Sequence, residues 1–210
     1  MIRVLIVDDH AVVRRGLREI LSDERDVEVS EATDAHEALR LVREQAFDLA
    51  VLDIDLPGKS GLDLLPEVRS ARPCLPVLIL SVYPEDQFAV RTLRLGASGF
   101  MCKDAAPEEL TKAVRKILQG GRYFSEFVVE TLLSSPHAGT PPAHPHEALS
   151  PREFQILCLL GAGKSVKDIA GELSLSAPTV STYRARILEK MQMKTTVQLV
   201  RYAIKNRLAN

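Results

Sequence analysis

The sequence predicts an α/β domain built on a doubly wound parallel sheet, followed by a smaller all-α domain. Two observations support this prediction. Five short apolar runs alternate with amphipathic helical patterns over residues 1–122, and only helical patterns occur after residue 149. Alternating strands and helices imply right-handed crossover connections, which place helices on both faces of one parallel sheet.

The five apolar runs are typical of strands buried in a parallel sheet, because each is short and bounded by polar or turn residues. The first, in "RVLIVDDH", ends at Asp8 and Asp9. We predict strands at residues 4–7, 27–32, 48–53, 76–81 and 99–102. Helical patterns between and after them predict helices near residues 11–22, 35–45, 61–71, 85–95 and 107–119.

Polar side chains stand where four of these strands end. Asp8 and Asp9 follow the first strand, Asp53 ends the third, Ser81 ends the fourth and Lys103 follows the fifth. In doubly wound sheets, functional sites collect outside the carboxyl ends of the strands. We therefore expect these five side chains to form one site.

Three carboxylates in one site require a counter-charge. They repel one another and raise each other's pKa unless a cation is present. Lys103 supplies one fixed positive charge. The oxygen ligands suit a hard octahedral ion, Mg²⁺ or Mn²⁺, that keeps several waters. The sequence therefore predicts a metal site that is suited to a phosphoryl group.

The motifs "LDIDLPGKSG" around Asp53 and "GFMCKDA" around Lys103, with the Asp8-Asp9 pair, resemble the receiver domain of two-component response regulators. The resemblance covers residues 1–122 and implies a flavodoxin-like (βα)5 fold. It further implies that a histidine kinase phosphorylates Asp53. By the same resemblance, Asp8, Asp9, Asp53 and the backbone carbonyl of Asp55 hold the Mg²⁺ ion.

The resemblance also implies a conformational switch. Phosphorylation adds roughly −1.5 to −2 charges, which draws the Ser81 hydroxyl and the Lys103 amine inward. In the family, an aromatic residue on the fifth strand then turns inward, and the matching residue is Phe100. Because Phe100 lacks a hydroxyl, a switch role and simple core filling both remain open.

The segment after residue 149 predicts a helix-turn-helix fold of four helices. Ser150-Pro151 begins the first helix, and the others are predicted at residues 165–173, 177–191 and 196–206. In "IAGELSLSAPTVSTYRARI", Leu175 fills the turn and Ser176 caps the third helix. The third helix is the one expected to read a nucleic acid.

This region resembles the LuxR-type DNA-binding domain of NarL/FixJ-type response regulators, through "LSPRE", "SVKDIA" and the "SxxTV" pattern. The resemblance places the third helix in the major groove of double-stranded DNA and assigns the dimer contact to the final helix. Ser181, Thr182 and Ala185 match the base-reading positions. Phosphate contacts are predicted for Arg184, Arg186, Lys164, Lys167, Lys190 and Lys194.

The charge distribution agrees with two units that face different partners. Residues 1–134 contain 17 Lys+Arg and 23 Asp+Glu, a net charge of −6, and residues 147–210 contain 10 and 5, a net charge of +5. A basic segment of this size favours a polyanion as partner. We predict a receiver domain at 1–122, an extension and linker at 123–148, and a LuxR-type domain at 149–210.

Other features indicate an ordinary cytoplasmic protein. We find neither a signal-peptide core nor an apolar run that approaches the roughly 20 residues of a membrane span. Cys74, Cys102 and Cys158 are isolated and lack CxxC spacing, which argues against a disulfide framework or a zinc site. The histidines of the Pro-rich linker lack the fixed geometry that a metal site needs.

We conclude from the sequence that the chain is a transcription regulator, not an enzyme, which dimerises and binds DNA when Asp53 is phosphorylated. One alternative is a DNA-binding regulator whose receiver is a phosphate-independent dimerisation module. A second is a phosphohydrolase, because "DIDLPG" is superficially similar to a DxD motif. That motif expects a threonine where Pro57 stands, four residues after its first acid.

Overall fold

The computed structural model describes residues 1–22, 26–134 and 144–208, and these form two compact units, Met1–Ser135 and Pro136–Asn210. In the first unit, five parallel strands form one sheet in the order β2-β1-β3-β4-β5. The strands are β1 (Ile2–Val7), β2 (Val27–Ala32), β3 (Leu49–Asp53), β4 (Val77–Ser81) and β5 (Gly99–Cys102). The predicted flavodoxin-like fold is therefore confirmed.

Helices connect the strands and cover both faces of the sheet. The five predicted helices begin and end within about two residues of their predicted positions. Every residue of β3 and of β4 is buried, as expected for central strands of a parallel sheet. The helices of this unit are α1 (Ala11–Ser22), α2 (Ala35–Glu44), α3 (Gly61–Ala71), α4 (Glu85–Arg94), α5 (Ala106–Leu118) and α6 (Glu126–Ser134).

The strand register explains why polar residues from distant parts of the chain meet. Val7 of β1 pairs with Leu52 of β3, so the residues that follow them, Asp8 and Asp53, emerge side by side. Ser81 of β4 pairs with Cys102 of β5, directly before Lys103. The reversal of strand order between β1 and β3 opens the crevice in which such sheets bind ligands.

The segment assigned from the sequence to an extension and linker contains a helix that the sequence pattern did not predict. Before α6, the Tyr123 backbone forms a parallel bridge with Gly99 of β5, and the Tyr123 hydroxyl donates to Glu109 at 2.6 Å. Val128 of α6 is buried, whereas Phe127 is 56% exposed. The extension therefore packs against the receiver as far as α6. Residues 135–143 of the predicted linker lie outside the described residues.

The second unit consists of α7 (Pro151–Gly161), α8 (Val166–Glu172), α9 (Ala177–Lys190) and α10 (Thr196–Lys205). Side-chain caps fix where these helices begin. Ser150 and Glu153 form a reciprocal capping box at α7, and the Ser176 side chain accepts from the Thr179 amide at α9. Ile169, Leu173 and Val180 form part of its core. The predicted four-helix arrangement is confirmed.

A buried arginine joins two helices of this unit. Arg152 on α7 is 2% exposed. Its guanidinium donates to Gln155 Oε1 at 2.7 Å and to the Leu173 carbonyl at 3.1 Å, where α8 ends. A buried carbonyl at a helix end needs such a donor. Arg152 therefore holds the end of α8, just before the turn that leads into α9, against α7.

None of the helices in the described ranges combines the length and the apolarity that crossing a membrane requires.

Candidate functional site

The acidic residues predicted to meet at the end of the sheet do meet there, around Lys103. The Lys103 ammonium donates to Asp53 Oδ2 at 2.6 Å and lies 2.7 Å from Asp8 Oδ2. The side chains of Asp8 and Asp53 are at most 1% exposed, and that of Asp9 is 32% exposed. The partly buried Lys103 ammonium therefore joins the ends of β1 and β3 to the residue after β5.

Burial and charge set the protonation of this group. Burial raises the pKa of Asp53 above its ordinary value, and the nearby Asp8 adds to this against the attraction of Lys103. Burial alone would lower the pKa of Lys103, but Asp53 and Asp8 outweigh it and raise that pKa. Lys103 therefore stays charged. A further cation beside Asp53 would favour its ionised carboxylate, against the effect of burial.

The cluster fits a divalent cation. Asp53 Oδ1 is buried and has no hydrogen-bond partner among the described residues. Ligand atoms of Asp8, Asp9, His10 and Asp53 all lie within 4.8 Å of one another. The carboxylate oxygens suit Mg²⁺ or Mn²⁺. His10 was not predicted, although it directly follows the paired acids. The part assigned to the Asp55 backbone carbonyl stays a prediction.

Two further residues, Arg14 and Gly61, shape the loops that carry these carboxylates. Arg14 of α1 donates to the Asp8 carbonyl at 2.8 Å and to Glu31 at 2.9 Å. Gly61 opens α3 directly against the Asp53 carbonyl, and its amide donates to the Ile54 carbonyl at 2.9 Å. These contacts hold the ends of β1 and β3 at the acidic cluster.

The predicted switch residues are both buried. Ser81 is fully buried, and its hydroxyl oxygen accepts a hydrogen bond from the Tyr83 amide at 2.9 Å. Phe100 is 2% exposed, and its amide donates to the Tyr123 carbonyl at 2.9 Å. The Phe100 ring therefore already fills the core in this structure. Its role as a switch stays a prediction.

Helix α9 presents one polar face. Thr182, Ala185 and Arg186 are exposed, and Ser181 and Arg184 are partly exposed, whereas Val180 and Ile187 are buried. This is the face that the sequence assigns to DNA.

Comparison with known proteins identifies the family. A family model of the response regulator receiver domain matches residues 4–115, and one of the luxR family of bacterial regulatory proteins matches residues 147–203. The chain belongs to the NarL/FixJ-type two-component response regulators. Both models describe regulatory domains, so this chain is a regulator and not the phosphohydrolase considered above.

Individual relatives resemble this response regulator over its whole length. It is 33% identical to the response regulator UvrY of Escherichia coli over 211 residues, which cover 100% of this chain and 97% of UvrY. It is 35% identical to the response regulator GacA of Pseudomonas aeruginosa over 98% of this chain and 97% of GacA. A structure of two RcsB dimers bound to two parallel DNAs superposes with a TM-score of 0.59 at 25% identity, covering 96% of this chain and 97% of that chain.

The predicted phosphate-contacting lysines of the response regulator differ in their surroundings. Lys164 is paired with Glu172, and the Lys190 ammonium donates to Glu153 at 2.6 Å. Lys167 and Lys194 are exposed. On α9, the Thr182 hydroxyl donates to the Pro178 carbonyl at 3.0 Å, and the Arg186 guanidinium lies 6.0 Å from the centre of the Tyr183 ring. The individual DNA contacts stay predictions.

The Glu153–Lys190 pair makes the stability of the second unit depend on pH. Burial opposes ionisation of Glu153, but hydrogen bonds from Lys190 and Ser150 outweigh it and hold its pKa below the ordinary 4.5. This stabilisation is therefore complete above pH 4.5 and is lost as pH falls through the lower, folded-state pKa. We expect Glu153→Gln to cost about 1 kcal/mol at pH 7 and less under acid conditions. Hydrogen exchange of the α7 amides measures this difference.

The matched control is Glu172→Gln, which removes the exposed pair with Lys164. It should change protection by less than about 0.5 kcal/mol, because surface ion pairs contribute little. A Glu153→Gln penalty that stays constant from pH 7 to pH 3 would contradict the assignment.

Proposed function

We propose that Asp53 accepts a phosphoryl group from a histidine kinase in the cytoplasm, and that this phosphorylation controls dimerisation and sequence-specific DNA binding. One observation carries the proposal. The buried carboxylate of Asp53 contacts the Lys103 ammonium through one oxygen. Its other oxygen has no hydrogen-bond partner in the described part of the chain and lies beside Asp8 and Asp9. This arrangement provides both a nucleophile and the positive charge that a transferring phosphoryl group requires.

In the proposed reaction, a carboxylate oxygen of Asp53 attacks phosphorus in line. A P–O bond to Asp53 forms as the bond between phosphorus and the donor breaks, and the donor leaves with that electron pair. Charge on the equatorial oxygens is stabilised by the Lys103 ammonium. A Mg²⁺ or Mn²⁺ ion, held by Asp8, Asp9, Asp53 and the carbonyl of Asp55, would neutralise further charge on these oxygens when bound.

Phosphorylation is then read out through Ser81 and Phe100. The added charge attracts the buried Ser81 hydroxyl, whose oxygen accepts from the Tyr83 amide in this structure. The neighbouring strand β5 carries Phe100, whose amide is bonded to the Tyr123 carbonyl at the start of the extension. A shift at Ser81 that reaches β5 therefore has a direct backbone connection to the segment before α6.

In the second unit, α9 is the proposed DNA-reading helix and α10 the proposed dimer contact. Val197 and Ile204 of α10 are 65% and 60% exposed, which leaves apolar surface for a second copy. The RcsB structure, in which dimers are bound to DNA, supports a dimer as the binding species. Arg184 and Arg186 supply phosphate contacts, so the affinity should fall as salt rises.

The beryllofluoride complex, a phosphoryl mimic, tests this regulation. With Mg²⁺ and beryllofluoride, we expect the full chain to sediment as a dimer and to enrich a defined set of fragments from sheared genomic DNA. Without the mimic, it should sediment mainly as a monomer and enrich few fragments. Arg186→Ala should weaken binding to the enriched fragments and leave the sedimentation shift intact. Equal sedimentation and equal enrichment in both states would instead support the phosphate-independent dimerisation module.

A further inference from the structure

His10 belongs to the acidic cluster by geometry, although no role for it follows from the family resemblance. Its backbone amide donates to Asp8 Oδ1 at 2.8 Å, which fixes the turn after β1. Its ring atom Nδ1 lies 2.7 Å from Asp9 Oδ1 and 3.4 Å from Asp8 Oδ1. The imidazole Nδ1 is therefore as close to the Asp9 carboxylate as the Lys103 ammonium is to that of Asp8.

The carboxylate oxygens that Lys103 does not contact are the ones available to a metal ion, and His10 lies beside one of them, Asp8 Oδ1. Lys103 contacts Oδ2 of Asp8 and Oδ2 of Asp53. The Asp53 side chain is fully buried, and its Oδ1 has no hydrogen-bond partner among the described residues. His10 is 64% exposed on its side chain, so an ion can reach the cluster from solvent beside the ring.

A nitrogen donor changes which ions a carboxylate site prefers. Oxygen-only sites suit Mg²⁺, whereas imidazole is a good ligand for the later divalent transition ions, whose affinities rise from Mn²⁺ through Co²⁺. Four converging donors, three carboxylates and one imidazole, form a mixed oxygen and nitrogen set.

We propose that His10 is a further metal-ligating residue of this response regulator and makes its site favour Mn²⁺ and Co²⁺ over Mg²⁺. This inference rests on the proposed metal site at Asp8, Asp9 and Asp53. It adds to that site a residue that determines metal specificity. It also explains the short distance from His10 Nδ1 to Asp9, because both side chains would be ligands of one ion. The alternative hypothesis is that His10 only forms an ion pair with Asp9.

Pulsed electron paramagnetic resonance of Mn²⁺ bound to the full chain tests the inference directly. A coordinated imidazole gives a ¹⁴N coupling to the Mn²⁺ spin, and carboxylate and water ligands give none. We expect this coupling in the wild type, its loss in His10→Ala and His10→Asn, and its retention in His36→Ala. His36 is an exposed histidine on α2 outside the cluster.

Calorimetry measures metal affinities, and loss of a simple ion pair would not lower the Co²⁺ affinity selectively. Both His10 variants should lose Co²⁺ affinity by about tenfold or more, while Mg²⁺ affinity changes by less than about threefold. Asn provides a second variant because its amide keeps a hydrogen bond to Asp9 without offering an imidazole nitrogen. Mn²⁺ bound without ¹⁴N coupling, or equal losses of Co²⁺ and Mg²⁺ affinity, would overturn the His10 inference alone. A wild type that binds neither Mg²⁺ nor Mn²⁺ would overturn the proposed metal site itself.

Discussion

Replacing Asp53 with asparagine is expected to abolish phosphate uptake from acetyl phosphate in the presence of Mg²⁺. The amide of asparagine is not a nucleophile towards phosphorus, and it removes the charge that pairs with Lys103. The asparagine side chain is nearly the same size, so the receiver should remain folded. Intact-mass spectrometry after incubation should show an added phosphoryl group on the wild type and none on the variant.

The matched control is Asp104→Asn, which changes an exposed carboxylate on the residue next to Lys103. It should be phosphorylated as the wild type is. Undiminished labelling of Asp53→Asn would show that another residue accepts the phosphoryl group.

Replacing Gly61 with alanine is expected to cause the largest loss of receiver stability. A Cβ atom at this position would lie 1.9 Å from the Asp53 carbonyl oxygen and 2.9 Å from its carbonyl carbon. Both are backbone atoms, so the loop between β3 and α3 would have to move. We expect destabilisation of at least about 3 kcal/mol, the upper range for overpacking. Hydrogen exchange of the β3 and α3 amides in the full chain measures it.

Gly16 provides the matched control, because it lies inside α1 and a Cβ there would meet nothing within 4 Å. Gly16→Ala should stabilise the receiver by up to about 1 kcal/mol through helix propensity. If Gly61→Ala were as mild as Gly16→Ala, the tight approach of α3 to the phosphoacceptor loop would be contradicted.

The sequence was most informative where the regular geometry of strands and helices determines which residues lie close together. Parallel strands end at one edge of the sheet, so the acids at the ends of β1 and β3 and the amine after β5 were expected to meet, and they do. The same holds for α9, because helical periodicity alone separates buried Val180 and Ile187 from exposed Thr182 and Arg186.

Contacts that depend on the three-dimensional path of loops were not predictable in this way. The requirement for glycine at position 61 comes from an approach of α3 to the Asp53 carbonyl that no local pattern encodes. The Lys190 pair with Glu153 joins residues 37 positions apart on two helices. Helix α6 was missed because it packs against α4, which is distant in the chain, so no local pattern indicates that Val128 becomes buried.

Peptide mass spectrometry that locates the phosphoryl group tests most directly whether Asp53 is the phosphoacceptor. The full chain is incubated with acetyl phosphate, with and without Mg²⁺, and the acyl phosphate is trapped by borohydride reduction. We expect reduction at Asp53 alone, and only when Mg²⁺ is present. Trapping at another carboxylate, or equal trapping at Asp53 in the presence of a chelator, would contradict it.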